Sequence, residues 1–195
     1  MEMPKVSVAA EHDRTSILKT ITLAFAADPI MRWAFSTADS YLTHFGRMAD
    51  AYGGVSIGEG TCYRTSRAEG AALWLAPGVE PDEEKTMEII QAGVEPERQE
   101  ALGRILEEME TYHPKDNDCW YLAIIGVDPG FQGKGIGASL MKHATSILDG
   151  QSRLGYLESS NPKNISLYER HGFEIMDQIQ VEDSPVMTPM IRHRR

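Results

Sequence analysis

The stretch that most constrains this chain is residues 120–127, WYLAIIGV, followed without a break by DPGFQGKGIG and an amphipathic run. A near-continuous apolar run of this length suits a strand covered on both faces by other layers. Asp128, Pro129 and Gly130 then turn the chain. From about Lys134 to Leu148, Ile136, Leu140, Ala144 and Ile147 recur at helical spacing, and Gly150 supplies the stop. A central strand therefore hands over to a helix through Gly133, Gly135 and Gly137. Glycines there cost helix stability but permit positive φ and close backbone approach. The first N–H groups of such a helix lack intrahelical acceptors and make a seat for phosphate oxygens. Lys134 either adds charge to that seat or points to water. Gly126 inside the strand marks a bulge or a close backbone approach.

The remaining segments mix strands and helices. Residues 5–10 read as a first strand, and a helix runs from Asp13 to about residue 26 with Ile17, Leu18, Ile21 and Phe25 on one face. Asp28-Pro29 reads as a helix stop, and 30–35 as a loop or short turn. A second helix is expected over about 40–52, carrying Tyr41, Leu42, Phe45 and Met48. A hairpin follows, near 55–64 and 70–76, with Glu69-Gly70 in or beside its turn. Residues 82–112 are charged and helical, divided by Pro96. After the glycine-rich helix come a strand near 153–158, a short helix over 162–170 ended by His171-Gly172, and two strands near 173–181 and 185–192. No repeat and no linker interrupts the order. The reading is one α/β (or α+β) domain over 1–195 around a mixed sheet, with a helical excursion near 82–112. The βα alternation is too irregular for a doubly wound sheet or a barrel.

Composition narrows the function. The chain has 195 residues and a net charge of −10, which opposes broad nucleic-acid binding and attracts cations wherever the charge borders a pocket. The two cysteines, Cys62 and Cys119, have no CxxC partner, so neither a zinc site nor a redox pair is expected, and no metal is assigned. No run of 18 apolar residues exists and the N-terminus does not read as a signal peptide, so a cytoplasmic protein without membrane contact is expected. Exposed terminal strands offer edges for a homodimer.

Two nucleotide motifs fail on spacing. Lys134 is followed by Gly135, not Ser or Thr, so the loop is not a P-loop. Glycines at 133, 135 and 137 do not fit the dinucleotide fingerprint, and no preceding βαβ unit or acidic ribose ligand accompanies them. Instead, Val127 to Gly137, VDPGFQGKGIG, resembles the acetyl-CoA signature of the GCN5-related N-acetyltransferase (GNAT) superfamily, with Gln132, Gly135 and Gly137 on its pattern. Glu158 to Phe173, ESSNPKNISLYERHGF, resembles that superfamily's second cofactor-side segment. Over more of the chain, AFAADPIMRWAF, ALWLAPG and DCWYLAIIGVDPGFQGKGIG look like the puromycin N-acetyltransferase-like branch.

The resemblance implies a mostly antiparallel sheet that splays between the strand ending at Val127 and the strand near 153–158, flanked by helices. It implies acetyl-CoA as cofactor, with amides of Gln132, Gly133, Lys134, Gly135, Ile136 and Gly137 on the pyrophosphate. Backbone of Ile125, Gly126 and Val127 would bind pantetheine and supply the oxyanion donor. Asn164 would touch the cofactor arm, and Tyr168 would stand beside the thioester sulfur as general acid; a tyrosine there also serves simply to pack its helix. Acetyl transfer to an amine needs a base as well. Glu158, at the end of its strand, is the first candidate, with a solvated carboxylate as the bland alternative, and His113 and a water chain are others. Cys119 lacks the neighbours of a nucleophile. For the acceptor, Trp33, Phe35, Tyr41, Phe45 and Trp74 form a pool of aromatic residues, most of them expected in the core, and Asp28 could receive a cation. A small-molecule amine is the expected acceptor; a peptide acceptor, or acyl-CoA binding without turnover, would give the same cofactor signature.

Overall fold

The structure, a computed structural model, describes residues 4–115 and 118–195. In chain order it contains β1 (Val6–Val8), α1 (Arg14–Ala24), α2 (Pro29–Ala34), α3 (Ala38–Gly53), α4 (Val55–Gly58), β2 (Cys62–Thr65), β3 (Gly70–Leu75), α5 (Glu83–Gly93), α6 (Pro96–Tyr112), β4 (Cys119–Val127), α7 (Ile136–Gly150), β5 (Leu154–Ser159), α8 (Ile165–Arg170), β6 (Glu174–Ile175) and β7 (Thr188–Arg192). Short 3-10 turns precede α1, follow β4 and precede α8. The strands make one seven-stranded sheet in the order β1-β2-β3-β4-β5-β7-β6. Every pairing is antiparallel except β4 with β5.

Both sheet faces are covered, as the apolar character of β4 requires. α7 and α8 lie on one face over Trp74, Trp120, Leu122 and Leu157. α1, α3 and the α5–α6 pair build the other, around Ile17, Ile21, Phe35, Phe45, Leu73 and Ile124. The expected stripe on α1 is present, with Ile17 and Ile21 fully buried. On α3, Tyr41 and Phe45 are buried but Leu42 is 70% exposed, so the apolar stripe is narrower than expected.

Three local expectations are corrected. Residues 29–34 form a helix, not a loop: the Asp28 carboxylate accepts the Met31 N–H at 3.0 Å and Pro29 occupies the first turn. Asp-Pro here starts a helix, through an N-cap and a preset φ, instead of ending one. The strand expected from 55 begins only at Cys62, because residues 55–58 are helical and the Ser56 hydroxyl bonds the Gly53 carbonyl at 2.6 Å. The strand expected over 173–181 shrinks to β6 and an isolated Ile179–Met187 bridge.

Two irregularities position the site. β4 and β5 are in register only at Cys119–Leu154, Trp120–Gly155 and Tyr121–Tyr156. Beyond these the strands part, and the edge of β4 from Leu122 to Val127 has no β5 partner. The second is a bulge: Leu73 pairs with Ile124 but Trp74 with Leu122, so Ala123 is the extra residue. It reverses the alternation of β4. Trp120 and Leu122 face α7 before it, and Ile125 and Val127 face that way after it. Gly126 is therefore not the bulge. A Cβ at Gly126 would lie 2.8 Å from Ala24 Cβ and 2.9 Å from Ile21 Cδ1, so the close approach it permits is that of α1.

Candidate active site

The turn after β4 is built by its own side chains. Asp128 accepts the Gly130 N–H at 2.8 Å, and the Gln132 side-chain amide donates to the Val127 carbonyl at 3.1 Å, latching the loop to the strand end. Gly133 and Gly135 have φ of +73° and +80°, which favour glycine, and a Cβ at either would meet nothing within 4 Å. The space in front of the loop is therefore open. Gly135 is the N-cap of α7 and offers no side-chain cap, so the first N–H groups of this 15-residue helix are left for an external acceptor. Gly137 has ordinary φ and lies under Leu167.

These residues line a cleft with Ile125, Gly126 and Val127 on one side and Asn164, Leu167 and Tyr168 of the α8 region on the other. Gln132, Gly133, Gly135, Ile136 and Gly137 all border it. Lys134 does not: its Nζ donates to the Gly130 carbonyl at 3.1 Å and sits 4.7 Å from the Phe131 ring centroid. The cations at the cleft are Lys163 and Arg170, which the sequence reading missed. Both fall within the segment already singled out, but only the packing of α8 beside α7 brings them to the open start of α7.

A second cavity opens on the other face of the splay, between β4, β5 and the helices. Phe25, Ile125, Asn164 and Tyr168 belong to both walls, so cleft and cavity meet there. Tyr168 is buried, and that burial, with the Asp28 carboxylate second, raises its phenol pKa, so it keeps its proton at neutral pH. Asp28, also buried, borders the cleft. The Ser160 hydroxyl donates to it at 2.6 Å. Burial raises its pKa and those hydrogen bonds oppose the shift. Already capping α2, Asp28 is a structural acid at the junction as much as a candidate cation site.

Glu158 points into the cavity. Alternation along β5 puts it on the same face as Tyr156, while Leu157 enters the opposite core. Enclosure by protein raises its pKa to about 7, with the phenols of Tyr121 and Tyr156 partly opposing the shift. The Tyr121 and Tyr52 hydroxyls are 2.6 Å apart. The Tyr156 hydroxyl is buried without a hydrogen bond of normal geometry. A carboxyl balanced near neutrality, on a cavity wall, can take up a proton during turnover.

Other candidates fall elsewhere. His113 packs edge-on against Tyr121 and Tyr156, at 5.1 and 4.9 Å between centroids, and burial lowers its pKa; it lies behind the cavity, not in its wall. Trp74 is fully buried beneath α7, on the face opposite the cavity, because its place on β3 alternates with Leu73. Trp33 donates to Asp183 at 3.3 Å and stacks under Arg98, so its ring faces α6 and the 183 loop. The Tyr41 hydroxyl donates to the Thr22 carbonyl. Of the aromatic pool, Phe35 and Phe45 line the cavity, joined by Phe25, Tyr52 and Tyr121. Cys62 and Cys119 are buried, and burial pushes the Cys62 thiol up to about 12. No helix among the described residues is long and apolar enough to cross a membrane.

Comparison with known proteins bears on this geometry. Residues 100–173 match the model of the Acetyltransferase (GNAT) family. An uncharacterized N-acetyltransferase of Schizosaccharomyces pombe is 33% identical over 76 residues, 39% of this chain; the match spans only 31% of that protein. A crystal structure from Corynebacterium glutamicum, described as histone acetyltransferase HPA2 and related acetyltransferase, superposes with a TM-score of 0.70 at 23% identity, covering 100% of this chain and 98% of that one. The Drosophila melanogaster polyamine N-acetyltransferase superposes with a TM-score of 0.66 at 12% identity, covering 97% and 99%. Residues 100–173 thus match the acetyltransferase (GNAT) family, within a chain whose fold over its whole length is that of these acetyltransferase structures.

Proposed function

We propose that this chain transfers the acetyl group of acetyl-CoA to the amino group of a small molecule, by direct attack within a ternary complex. The observation that carries the reading is the meeting of two cavities at Phe25, Ile125, Asn164 and Tyr168. One is headed by an open helix N-terminus with Lys163 and Arg170 nearby, as a pyrophosphate requires. The other holds a carboxyl poised near neutrality. A thioester threaded along the unpaired edge of β4 reaches the junction between them, and reactants held there need no covalent enzyme intermediate.

Each residue then has a task. The β4 edge around Ile125 to Val127 has lost its β5 partner and offers main-chain groups to pantetheine and to the developing oxyanion. Glu158 takes a proton from the bound ammonium, which frees the nitrogen lone pair that attacks the thioester carbon. Tyr168, which holds its proton at neutral pH, donates it to sulfur as the carbon–sulfur bond breaks, and the proton shed by the attacking nitrogen restores the phenol. Asn164 holds the cofactor arm. Thr86 and Ile90 of α5 and Leu102, Ile105, Leu106 and Met109 of α6 wall the cavity, which favours a small acceptor over a peptide in an open groove. The cytoplasm is the proposed site of action; two buried cysteines without a disulfide are compatible with its reducing conditions. The likeness to the puromycin N-acetyltransferase-like branch adds no acceptor contact that the cavity itself supplies.

Thiol release from acetyl-CoA across a panel of amines tests the reading. The Tyr168→Phe variant is expected to lose about 10²-fold in kcat while binding CoA as the parent does. Unchanged turnover, where chemistry limits the rate, removes the general-acid role; absence of CoA binding to the folded protein removes the function.

A further inference from the structure

The net charge of −10 suggests a site for polycations, yet the acidic residues of the helices over the cavity lie on the outside. On α5 and α6 the carboxylates of Glu83, Glu84, Glu88, Glu107, Glu108 and Glu110 are exposed, while the opposite faces enter the acceptor cavity with apolar residues and the single hydroxyl of Thr86. Among the described residues lining that cavity, Glu158 is the only charged one. Its polar companions are all uncharged: Tyr52, Tyr121, Ser160, Asn164, Tyr168 and, from α5, Thr86. The remainder is Phe45, Ile90, Leu102, Ile105, Leu106 and Met109 with further apolar neighbours, around a space of about 120 Å³. That is a little below the ~150 Å³ of an apolar cavity that accepts benzene.

We propose that the acceptor is a primary amine carrying one positive charge and an apolar body, an alkylamine or arylalkylamine, and that polyamines are poor acceptors. The inference rests on the transfer reading above. The one carboxylate in the wall can compensate one ammonium group; Asp28, the other buried acid, does not line this cavity and already caps α2. A second cation at the far end of the cavity would sit among Leu, Ile, Met and Phe with no counter-charge, and burying it there is strongly unfavourable. An apolar tail gains from the same walls with every methylene it buries.

The test measures kcat/KM for thiol release at saturating acetyl-CoA with propylamine through hexylamine, phenethylamine, cadaverine, agmatine and spermidine. The expected result is a rise of about four-fold per methylene until the cavity is filled. Cadaverine should fall about a hundred-fold or more below pentylamine, its closest monocationic match. Met109→Glu, which sets a second carboxylate in the wall, should raise the cadaverine-to-pentylamine ratio at least ten-fold. Ile105→Phe, which keeps the wall apolar and shortens the space, should turn the preference from hexylamine toward propylamine, with thermal melting confirming that each variant is folded. Polyamines turned over as well as monoamines of equal length would overturn this proposal and leave acetyl transfer standing. Tight CoA binding with no amine consuming acetyl-CoA would instead overturn the transfer reading, and this proposal with it.

Discussion

Replacing Glu158 by Gln separates a catalytic carboxyl from a structural one, because the two roles predict opposite signs. Enclosure raises the folded-state pKa of Glu158 from 4.5 to about 7. Below about pH 4.5 the group is protonated in both the folded and unfolded chain and makes no difference. Between about pH 4.5 and 7 the unfolded chain releases the proton first, so stability declines as pH rises, and above about 7 the loss is complete. At about 1.4 kcal/mol per pH unit the loss amounts to about 3 kcal/mol. Gln keeps the shape and removes the ionisation. The variant should therefore match the parent near pH 4 and exceed it by up to about 3 kcal/mol at pH 8, roughly 6–12 °C in melting temperature for a chain of this size. Its kcat should fall by about 10²–10⁴, and the rise of kcat through pH 7 expected of the parent should disappear. Urea unfolding at pH 4 and 8, beside kcat–pH profiles with one amine, reads both effects. A variant that is less stable than the parent at pH 8, or one that keeps the limb near pH 7, would refute the placement of an ionisable base in a dry wall.

Other substitutions probe the surrounding frame. Gly135→Val meets no steric obstacle but must adopt a φ of +80°, at a cost of about 1–2 kcal/mol. The protein should stay folded by circular dichroism while CoA affinity falls at least about ten-fold, and normal affinity by calorimetry would count against the phosphate seat. Trp74→Phe empties space beneath α7 and should cost about 1–3 kcal/mol in urea unfolding without altering KM for any amine. A selective change in amine KM would return Trp74 to the acceptor wall.

Much of this was legible along the chain, for a common physical reason. Where adjacent residues dictate the outcome, sequence suffices. The apolar run of β4, the glycines of the following loop and the 3.6-residue period of α7 all act locally, and the strand, the open helix start and the split of α5 from α6 at Pro96 were read from them. Glu158 and Tyr168 both fall in the segment that resembles the second cofactor-side segment, and both border the cavity between β4, β5 and the helices. Errors arose where one local signal has two structural uses. Asp28-Pro29 can end one helix or cap the next, and the chain uses it to cap.

What tertiary structure decided depends on which surfaces meet. The parting of β4 from β5 after Tyr121, and the bulge at Ala123, set the face to which each side chain turns. Composition and period carry no trace of a single inserted residue, so Trp74 could be placed on a strand but not on a side of the sheet. Lys163 and Arg170 reach the cleft because α8 docks beside α7, while Lys134, at the centre of the motif, turns back onto Phe131. The displaced acidity of Glu158 has the same origin. A carboxyl takes its pKa from the protein that encloses it, and that enclosure exists only once β4, β5 and the helices have closed around it.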